Sequence, residues 1–185
     1  MKYTITTLSI IVFFICSCGG NMVCEESVLP ISNIGDNLLQ NNQYILDEWM
    51  DTDIHEIEFV LNQDMTLCGV GYKSQEDDNE YLITITDNDN LIVFEDLMSF
   101  DSNRLELQEV ENIRLSNGET YTLSRNCTNC TNLESRIGEM YRTSNNSSQF
   151  SFPLQSDELT ILGSKFYGNG NASGNWIPRI ELALF

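Results

Sequence analysis

Apolar and polar residues alternate with a period of two along most of the chain beyond residue 54. In the segment IHEIEFVL, Ile57, Phe59 and Leu61 lie on one face of an extended chain, while Glu56 and Glu58 lie on the other. A strand with one face in the core and one in solvent requires this alternation. The same pattern predicts strands at MTLCGVGY, EYLITIT, LIVFED, RLELQ and ETYTLSR, and apolar segments follow at QFSFPL, ELTILG and NWIPRIELAL.

The connecting segments have the composition of turns. The sequence DNDN at residues 87–90 separates two predicted strands, IEFVLNQDMTL resembles a hairpin, and Asn117-Gly118 suits a tight hairpin turn between Leu115 and Thr120. Because no segment of crossover-helix length separates the strands, antiparallel pairing is expected. The sequence therefore predicts an all-β fold of about eight to ten strands, an antiparallel meander that closes into a barrel or a β-sandwich, with at most one or two short helices.

The segment ahead of the strands is less regular. Ile34, Leu38, Ile45 and Trp49 recur near helical spacing, which predicts one short helix. Residues 18–33 show no period and contain glycines and a proline, so they are predicted to be a flexible tether. Residues 34–185 are then predicted to form a single all-β domain.

The N-terminus has the features of a secretion leader. Lys2 precedes a mostly apolar run at residues 5–15, which is shorter than a membrane-spanning helix. The run ends in ICSCG, which resembles the lipobox of bacterial lipoproteins at Cys18, whereas Cys16 follows the bulky Ile15. The resemblance implies that residues 1–17 are a signal peptide and that lipidated Cys18 anchors the protein in the outer membrane of a cell envelope. Ordinary secretion with cleavage near Gly20 is the alternative.

The charge of the chain restricts its partners. Twenty-eight acidic residues stand against nine basic residues, which gives a net charge of −19. Such a charge repels phosphate backbones and anionic lipid headgroups, so no nucleic acid is expected among the partners. The membrane contact is expected to come from the N-terminal lipid alone.

Four cysteines remain beyond the leader, namely Cys24, Cys68, Cys127 and Cys130. In an oxidising compartment they predict two structural disulfides, with three connectivities open. A bond within Cys127–Cys130 closes a very small ring, so bonds from Cys24 and Cys68 to this pair are favoured. The alternative is a soft-metal or redox pair at Cys127 and Cys130, although no helix is predicted beside them to lower a thiol pKa.

The strand pattern of residues 45–125 resembles the lipocalin-like domains of bacterial lipoproteins. Trp49 precedes the first strand, and YLITITDNDNLIVFED and the closing YTLSR follow. True lipocalins begin with a Gly-x-Trp motif, which appears here as Asp47-Glu48-Trp49, without the glycine. Residues 126–185 form an extension that the family does not explain. The resemblance implies a small barrel, often with an apolar cavity. Some family members with a Cys-x-x-Cys pair act in copper and envelope-stress sensing.

The aromatic residues that could line such a cavity also fit the core of an ordinary domain. The candidates for ligand contact are Trp49, Phe59, Tyr72, Tyr81 and Trp176. Space beside them depends on the residues of the inward face, where Gly69 and Gly71 share a face with Met65 and Leu67. Large residues at Ile83, Ile85, Leu105 and Leu107 would fill that space.

No complete catalytic set is visible in the sequence. His55 is the only histidine, and neither a nucleophile elbow nor a phosphate loop occurs, so the chain is predicted not to be an enzyme and to need no cofactor or metal. The expected function is a lipid-anchored, non-catalytic binding module for a small apolar ligand. The alternatives are an interaction or structural lipoprotein with a solid core, and a metal or redox sensor using Cys127 and Cys130.

Overall fold

The fold is known from a computed structural model, which describes residues 24–50, 54–130, 137–145, 150–167 and 176–185. A 3₁₀-helix at Cys24–Glu26 precedes one α-helix, α1, at Pro30–Leu39. Twelve strands follow in the described residues: β1 Tyr44–Met50, β2 Ile54–Leu61, β3 Met65–Tyr72, β4 Tyr81–Thr86, β5 Ile92–Met98, β6 Glu106–Leu115, β7 Thr120–Cys127, β8 Ile137–Thr143, β9 Leu154–Gln155, β10 Leu159–Tyr167, β11 Trp176–Pro178 and β12 Glu181–Leu184. No helix in these ranges is long and apolar enough to cross a membrane.

The strands form three antiparallel sheets. The large sheet has the order β5-β4-β7-β2-β10-β9, the small sheet β12-β3-β6, and the third sheet β1-β8-β11. Every pair of named strands is antiparallel. The predicted all-β, antiparallel class is therefore confirmed. The sheets do not close into a barrel, and the arrangement is that of an open, sandwich-like meander.

Sequence alternation located the strands better than it located their partners. β2 and β3 have the bounds of the predicted segments, and β4 and β5 form the expected hairpin around Asp87, whose Oδ1 accepts hydrogen bonds from the amides of Asp89 and Leu91. The other two expected hairpins are wrong. β2 and β3 lie in different sheets, and so do β6 and β7, although Gly118 has the positive φ of 77° that the turn requires.

The helix begins earlier than predicted. Pro30 occupies its first turn, where its missing amide proton costs nothing, and Ile31 and Ile34 are buried against the strands. Ile45 and Trp49, which were expected to extend this helix, lie on β1. The predicted tether is thus wrong for residues 24–33, because they belong to the packed fold.

A bulge in β3 changes which side chains of the strand point into the core. Between Leu67 and Gly69 the pairing with both neighbours shifts: Cys68 is an extra residue against β12, whereas against β6 the extra residues lie on β6 between Glu109 and Ile113. The positions after Cys68 therefore change face. Val70 and Tyr72 therefore point into the core, and Gly69 and Gly71 lie on the opposite face of the strand, where they are also buried. At Gly71 a Cβ atom would lie 2.7 Å from Leu107 Cδ2 and 3.0 Å from the Glu181 side chain. The expected inward space at these glycines does not exist.

The C-terminal segment contributes one strand to each of two sheets. NWIPRIELAL was expected to form one strand, but β11 pairs with β8 at the edge of the third sheet and β12 pairs with β3 in the small sheet. Pro178, which cannot donate to a ladder, ends β11. Ile180, Leu182 and Leu184 are fully buried, so this segment closes the core from one side.

Candidate functional site

The interior contains a buried cation between two aromatic rings. Arg125 on β7 is 1% exposed, and its guanidinium carbon lies 5.2 Å from the ring centroids of both Tyr72 and Tyr81. The ring faces attract the cation and partly replace its lost hydration. Desolvation by burial lowers the pKa of Arg125 to about 9, so the side chain remains charged near neutral pH.

The polar ends of these tyrosines are held inside the protein. Asn79 Nδ2 donates to the Tyr81 hydroxyl at 3.1 Å, and Ser74 Oγ lies 2.9 Å from the same oxygen. The rings of Tyr72 and Tyr81 meet edge to face at 4.9 Å, with Phe100 beside them. Burial raises the pKa of Tyr72 well above its ordinary value, so this hydroxyl stays protonated.

The predicted ligand residues are thus dispersed. Phe59 is fully buried and stacks on Tyr121 at 5.6 Å, whereas Tyr72 and Tyr81 surround Arg125. Trp176 is half-buried on β11 in another sheet, and the side chain of Trp49 on β1 lies outside the described part of the structure. Three of the five candidates are therefore core residues, and the structure does not bring the set together around one cavity.

His55 lies on the inner face of β2, directly opposite Arg125 on β7. It is 1% exposed, and burial lowers its pKa to about 3, so the imidazole is neutral at physiological pH. A general base needs access to a substrate proton and a pKa near the operating pH. His55 has neither property.

The four cysteines pair differently from the expected cross-links. Cys24 is bonded to Cys68 and Cys127 to Cys130, with Cα–Cα distances of 5.9 and 5.7 Å. The expected cross-links are wrong because Cys68 lies at the bulge of β3 in the small sheet, beside Cys24. Cys127 instead ends β7 in the large sheet. Among the described residues no group of three or more histidine, cysteine or acidic side chains could hold a metal ion.

A second buried charge lies between the helix and the small sheet. Glu181 on β12 has no exposed surface, and it accepts hydrogen bonds from the Ser32 amide at 3.1 Å and from Ser32 Oγ at 2.5 Å. Arg179 Nε lies 3.9 Å from its carboxylate. Because Ser32 belongs to the first turn of α1, Glu181 caps the helix from outside and fixes it on the sheet. Burial raises the pKa of Glu181 to about 7.

One segment of the chain carries most of the large apolar side chains that are exposed in the described residues. Seven large hydrophobic side chains are exposed in the described residues, and four of them lie on β5, β6 or the turn before β5: Leu91 at 63%, Ile92 at 61%, Leu97 at 51% and Leu107 at 44%. β5 and β6 are the edge strands of the large and the small sheet, and the loop 99–105 joins them. We call residues 91–115 the acidic edge.

The charge of the acidic edge is strongly one-sided. It contains six acidic residues and only two basic ones, Arg104 and Arg114. Arg104 pairs with Asp101 at 3.2 Å, and Arg114 pairs with Asp64 at 2.8 Å. Within the described ranges, Glu95, Glu109 and Glu111 have no basic side chain within ion-pair distance. Exposed apolar side chains and uncompensated carboxylates therefore occur together in this segment.

The backbone of β5 is partly protected. The bulge in its pairing with β4 lies beside Val93, and the Leu97 amide donates to Asp96 Oδ1 at 2.8 Å. At the end of the strand, Gln108 Nε2 donates to the Ser99 carbonyl. Beside it lies a cleft of about 320 Å³, lined by Asp77, Ser99, Phe100, Asp101, Asn103 and Glu106.

Sequence reasoning missed both regions, although each left a trace. In ETYTLSR, Arg125 is in phase with Tyr121 and Leu123, so strict alternation already places it on the inner face. In LIVFED, Leu91, Ile92 and Val93 are consecutive apolar residues, and one of two neighbours in a half-buried strand must face solvent.

No protein-family model matches this chain, and no curated protein is similar to it.

Proposed function

We propose that the chain is a non-catalytic interaction module, held at an envelope membrane by a lipid on Cys18, which binds a partner protein through its surface. One observation carries the proposal: three of the five candidate ligand residues are packed in the core, while the acidic edge leaves four large apolar side chains in solvent. Large apolar side chains exposed on an edge strand favour pairing with another chain.

A small apolar ligand receives less support. Phe59, Tyr72 and Tyr81 are buried in the core. The clefts described at the surface are lined mainly by polar side chains, among them one of about 470 Å³ between α1 and the β9–β10 hairpin. Binding pockets for small apolar molecules are lined mainly by hydrophobic and aromatic side chains.

The position of the first disulfide fits a lipid anchor on Cys18. Cys18 lies outside the described residues, and the described fold begins at Cys24, six positions later. Six extended residues span at most about 20 Å, so an anchored domain stays close to the membrane. The net charge of −19 repels anionic headgroups, which favours a domain that faces away from the bilayer toward a partner.

Native mass spectrometry of the mature chain, purified from a membrane fraction, tests the filled interior. We expect the mass of the lipidated polypeptide alone and no rise in the fluorescence of a naphthylamine probe. A stoichiometric apolar molecule that survives purification would contradict the proposal and favour the ligand-binding alternative. Peptide mapping of the same sample is expected to find diacylglycerol on Cys18, and the Cys18→Ser variant is the unmodified control.

A further inference from the structure

We propose that the acidic edge binds an extended, basic segment of a partner protein, which adds to β5 as a further antiparallel or parallel strand. The inference rests on the proposed function, because it names the partner that such an interaction module takes. In the described residues β5 pairs with β4 alone, so its other side is an edge of the large sheet. A sheet edge presents backbone donors and acceptors that another extended chain can pair with.

The outer face of β5 defines what the added strand should carry. Its pairing places Ile92, Glu95 and Leu97 opposite Thr86, Thr84 and Leu82 of β4, so these three side chains share one face. Side chains that lie opposite each other on neighbouring strands interact directly. An added strand therefore gains most from aliphatic residues beside Ile92 and Leu97 and from lysine or arginine beside Glu95.

Asp96 marks the point where the added strand would bind. Its carboxylate accepts the Leu97 amide proton at 2.8 Å, the kind of bond that a neighbouring strand's carbonyl makes in a sheet. A partner carbonyl can replace this carboxylate, and the released Asp96 can then pair with a basic side chain of the incoming segment. Such an exchange keeps the edge protected when no partner is present.

Charge argues against a second copy of this chain as the occupant. Two β5 strands side by side would bring Glu95 and Asp96 of both copies close together, and like charges on neighbouring strands are destabilising. Each copy also carries a net charge of −19. A basic segment instead gains from Glu95 and Asp96 of β5, and long-range attraction to the acidic protein increases its rate of association.

The test uses the mature chain without its lipid and a fluorescent peptide of alternating valine and lysine, about eight residues long, the length of a strand. Anisotropy is expected to show binding that weakens with salt. A peptide of alternating valine and glutamate, and a valine–lysine peptide N-methylated at every second residue, should not bind. The methylated peptide keeps charge and side chains but loses the backbone donors.

Two matched variants locate the site. Leu97→Lys on β5 should weaken binding by about tenfold or more, whereas Leu162→Lys should change it by less than about twofold. Leu162 is also an exposed leucine, at 39%, but it lies on β10. Circular dichroism and thermal unfolding confirm that both variants fold.

Three results overturn the inference: no binding of the valine–lysine peptide, equal binding of the methylated peptide, or equal losses in the two variants. Self-association that Leu97→Lys abolishes overturns it as well, because a second copy then occupies the edge. These failures leave the filled interior untouched. The proposed function fails separately, if native mass spectrometry recovers an apolar ligand.

Discussion

The interior around Arg125 contains a buried charge, whereas the acidic edge contains exposed apolar side chains. In the interior, a cation is enclosed by the rings of Tyr72 and Tyr81 and is 1% exposed. At the acidic edge, Ile92 and Leu97 remain more than half exposed among carboxylates. Each arrangement costs free energy unless something offsets it, since burying a charge and exposing apolar surface are both unfavourable.

The difference lies in where the offsetting contacts come from. Arg125 has its aromatic partners within the same chain, so its burial is explained by the fold itself. The described part of the chain leaves Ile92 and Leu97 exposed, and the proposed partner would supply their cover. Changes in the interior should therefore alter stability, and changes at the acidic edge should alter binding.

Among the variants that should still fold, replacement of Arg125 should have the largest effect on stability. Arg125→Ala leaves a void between the rings of Tyr72 and Tyr81 and removes two cation–π contacts, so the free energy of unfolding should fall by about 3–5 kcal/mol. Urea unfolding followed by tyrosine fluorescence measures the change. Arg114→Ala, at an exposed ion pair, is the matched control and should cost less than about 1 kcal/mol.

Arg125→Met separates volume from charge. A methionine fills much of the same space without a charge to desolvate, so its cost should be smaller than that of alanine. If Arg125→Met is as destabilising as Arg125→Ala, the contacts of the charge with the rings of Tyr72 and Tyr81 matter more than the volume of the side chain.

The two disulfides should differ strongly in their contribution to stability. Cys24–Cys68 closes a loop with a sequence separation of 44, and Cys127–Cys130 closes one of 3. The loop-entropy relation then gives about 4 kcal/mol for the first bond and about 1.5 kcal/mol for the second. The double serine variants at each pair, compared in chemical unfolding, test this order.

Equal losses, or a larger loss at Cys127 and Cys130, would contradict the pairing. Non-reducing peptide mapping provides an independent control. It should recover a peptide that joins Cys24 to Cys68 and a second that contains the bonded Cys127 and Cys130. Free thiols at both positions of the second pair would revive the soft-metal alternative.

The buried carboxyl of Glu181 should make the stability of the protein depend on pH. Burial raises its pKa from 4.5 to about 7, so the folded state holds a proton that the unfolded state has lost between these values. The contribution of Glu181 to stability is full below about pH 4.5 and is lost as pH rises to about 7, by up to about 3 kcal/mol. The amide of Glu181→Gln does not ionise, so the variant should lack this decline.

The groups around Glu181 also shape the result. Ser32 and Asp36 face it from α1, Tyr141 from β8, and Arg179 precedes it. His55, whose lowered pKa makes stability rise with pH between about 3 and 6.5, opposes Glu181 over part of the range. The difference between parent and variant curves removes the contribution of His55.

The smallest effect on stability is expected at the acidic edge. Leu97→Lys places a charge where the side chain is already 51% exposed, so unfolding should change by less than about 0.5 kcal/mol. Leu123→Lys is the contrasting variant, because Leu123 lies fully buried on β7 and an unpaired lysine there should prevent folding. A thermal scan of both variants suffices. A large loss in Leu97→Lys would mean that the chain itself covers this side chain.

Local patterns predicted the strands because the physical rule behind them is local. Alternation in IHEIEFVL follows directly from a strand with one buried face, and β2 has the predicted bounds. The pairing of β2 with β7 and β10 depends on residues far along the chain, which no local pattern encodes. The prediction that Gly69 and Gly71 point into the core was wrong for a related reason. One extra residue at Cys68 moves every later side chain of β3 to the other face.

The candidate site was harder to predict than the fold. The aromatic residues chosen as ligand contacts satisfy the pattern of a core, and in the structure Phe59, Tyr72 and Tyr81 belong to it. The exposure of Ile92 and Leu97 follows from the position of β5 at the end of the large sheet, which is a property of the whole topology. The excess of acids over bases in residues 91–115 was readable in the sequence, but only the fold shows that β5 and β6 are edge strands.

The most direct test is a nitrogen-15 NMR titration of the mature chain with the valine–lysine peptide. Our account predicts shift changes at Ile92, Glu95, Asp96 and Leu97, with the Asp96–Leu97 contact replaced, and no change at His55 or Arg125. Changes centred on Arg125, Tyr72 and Tyr81 would show that a ligand enters the interior, and they would contradict the claim that this protein acts through its edge.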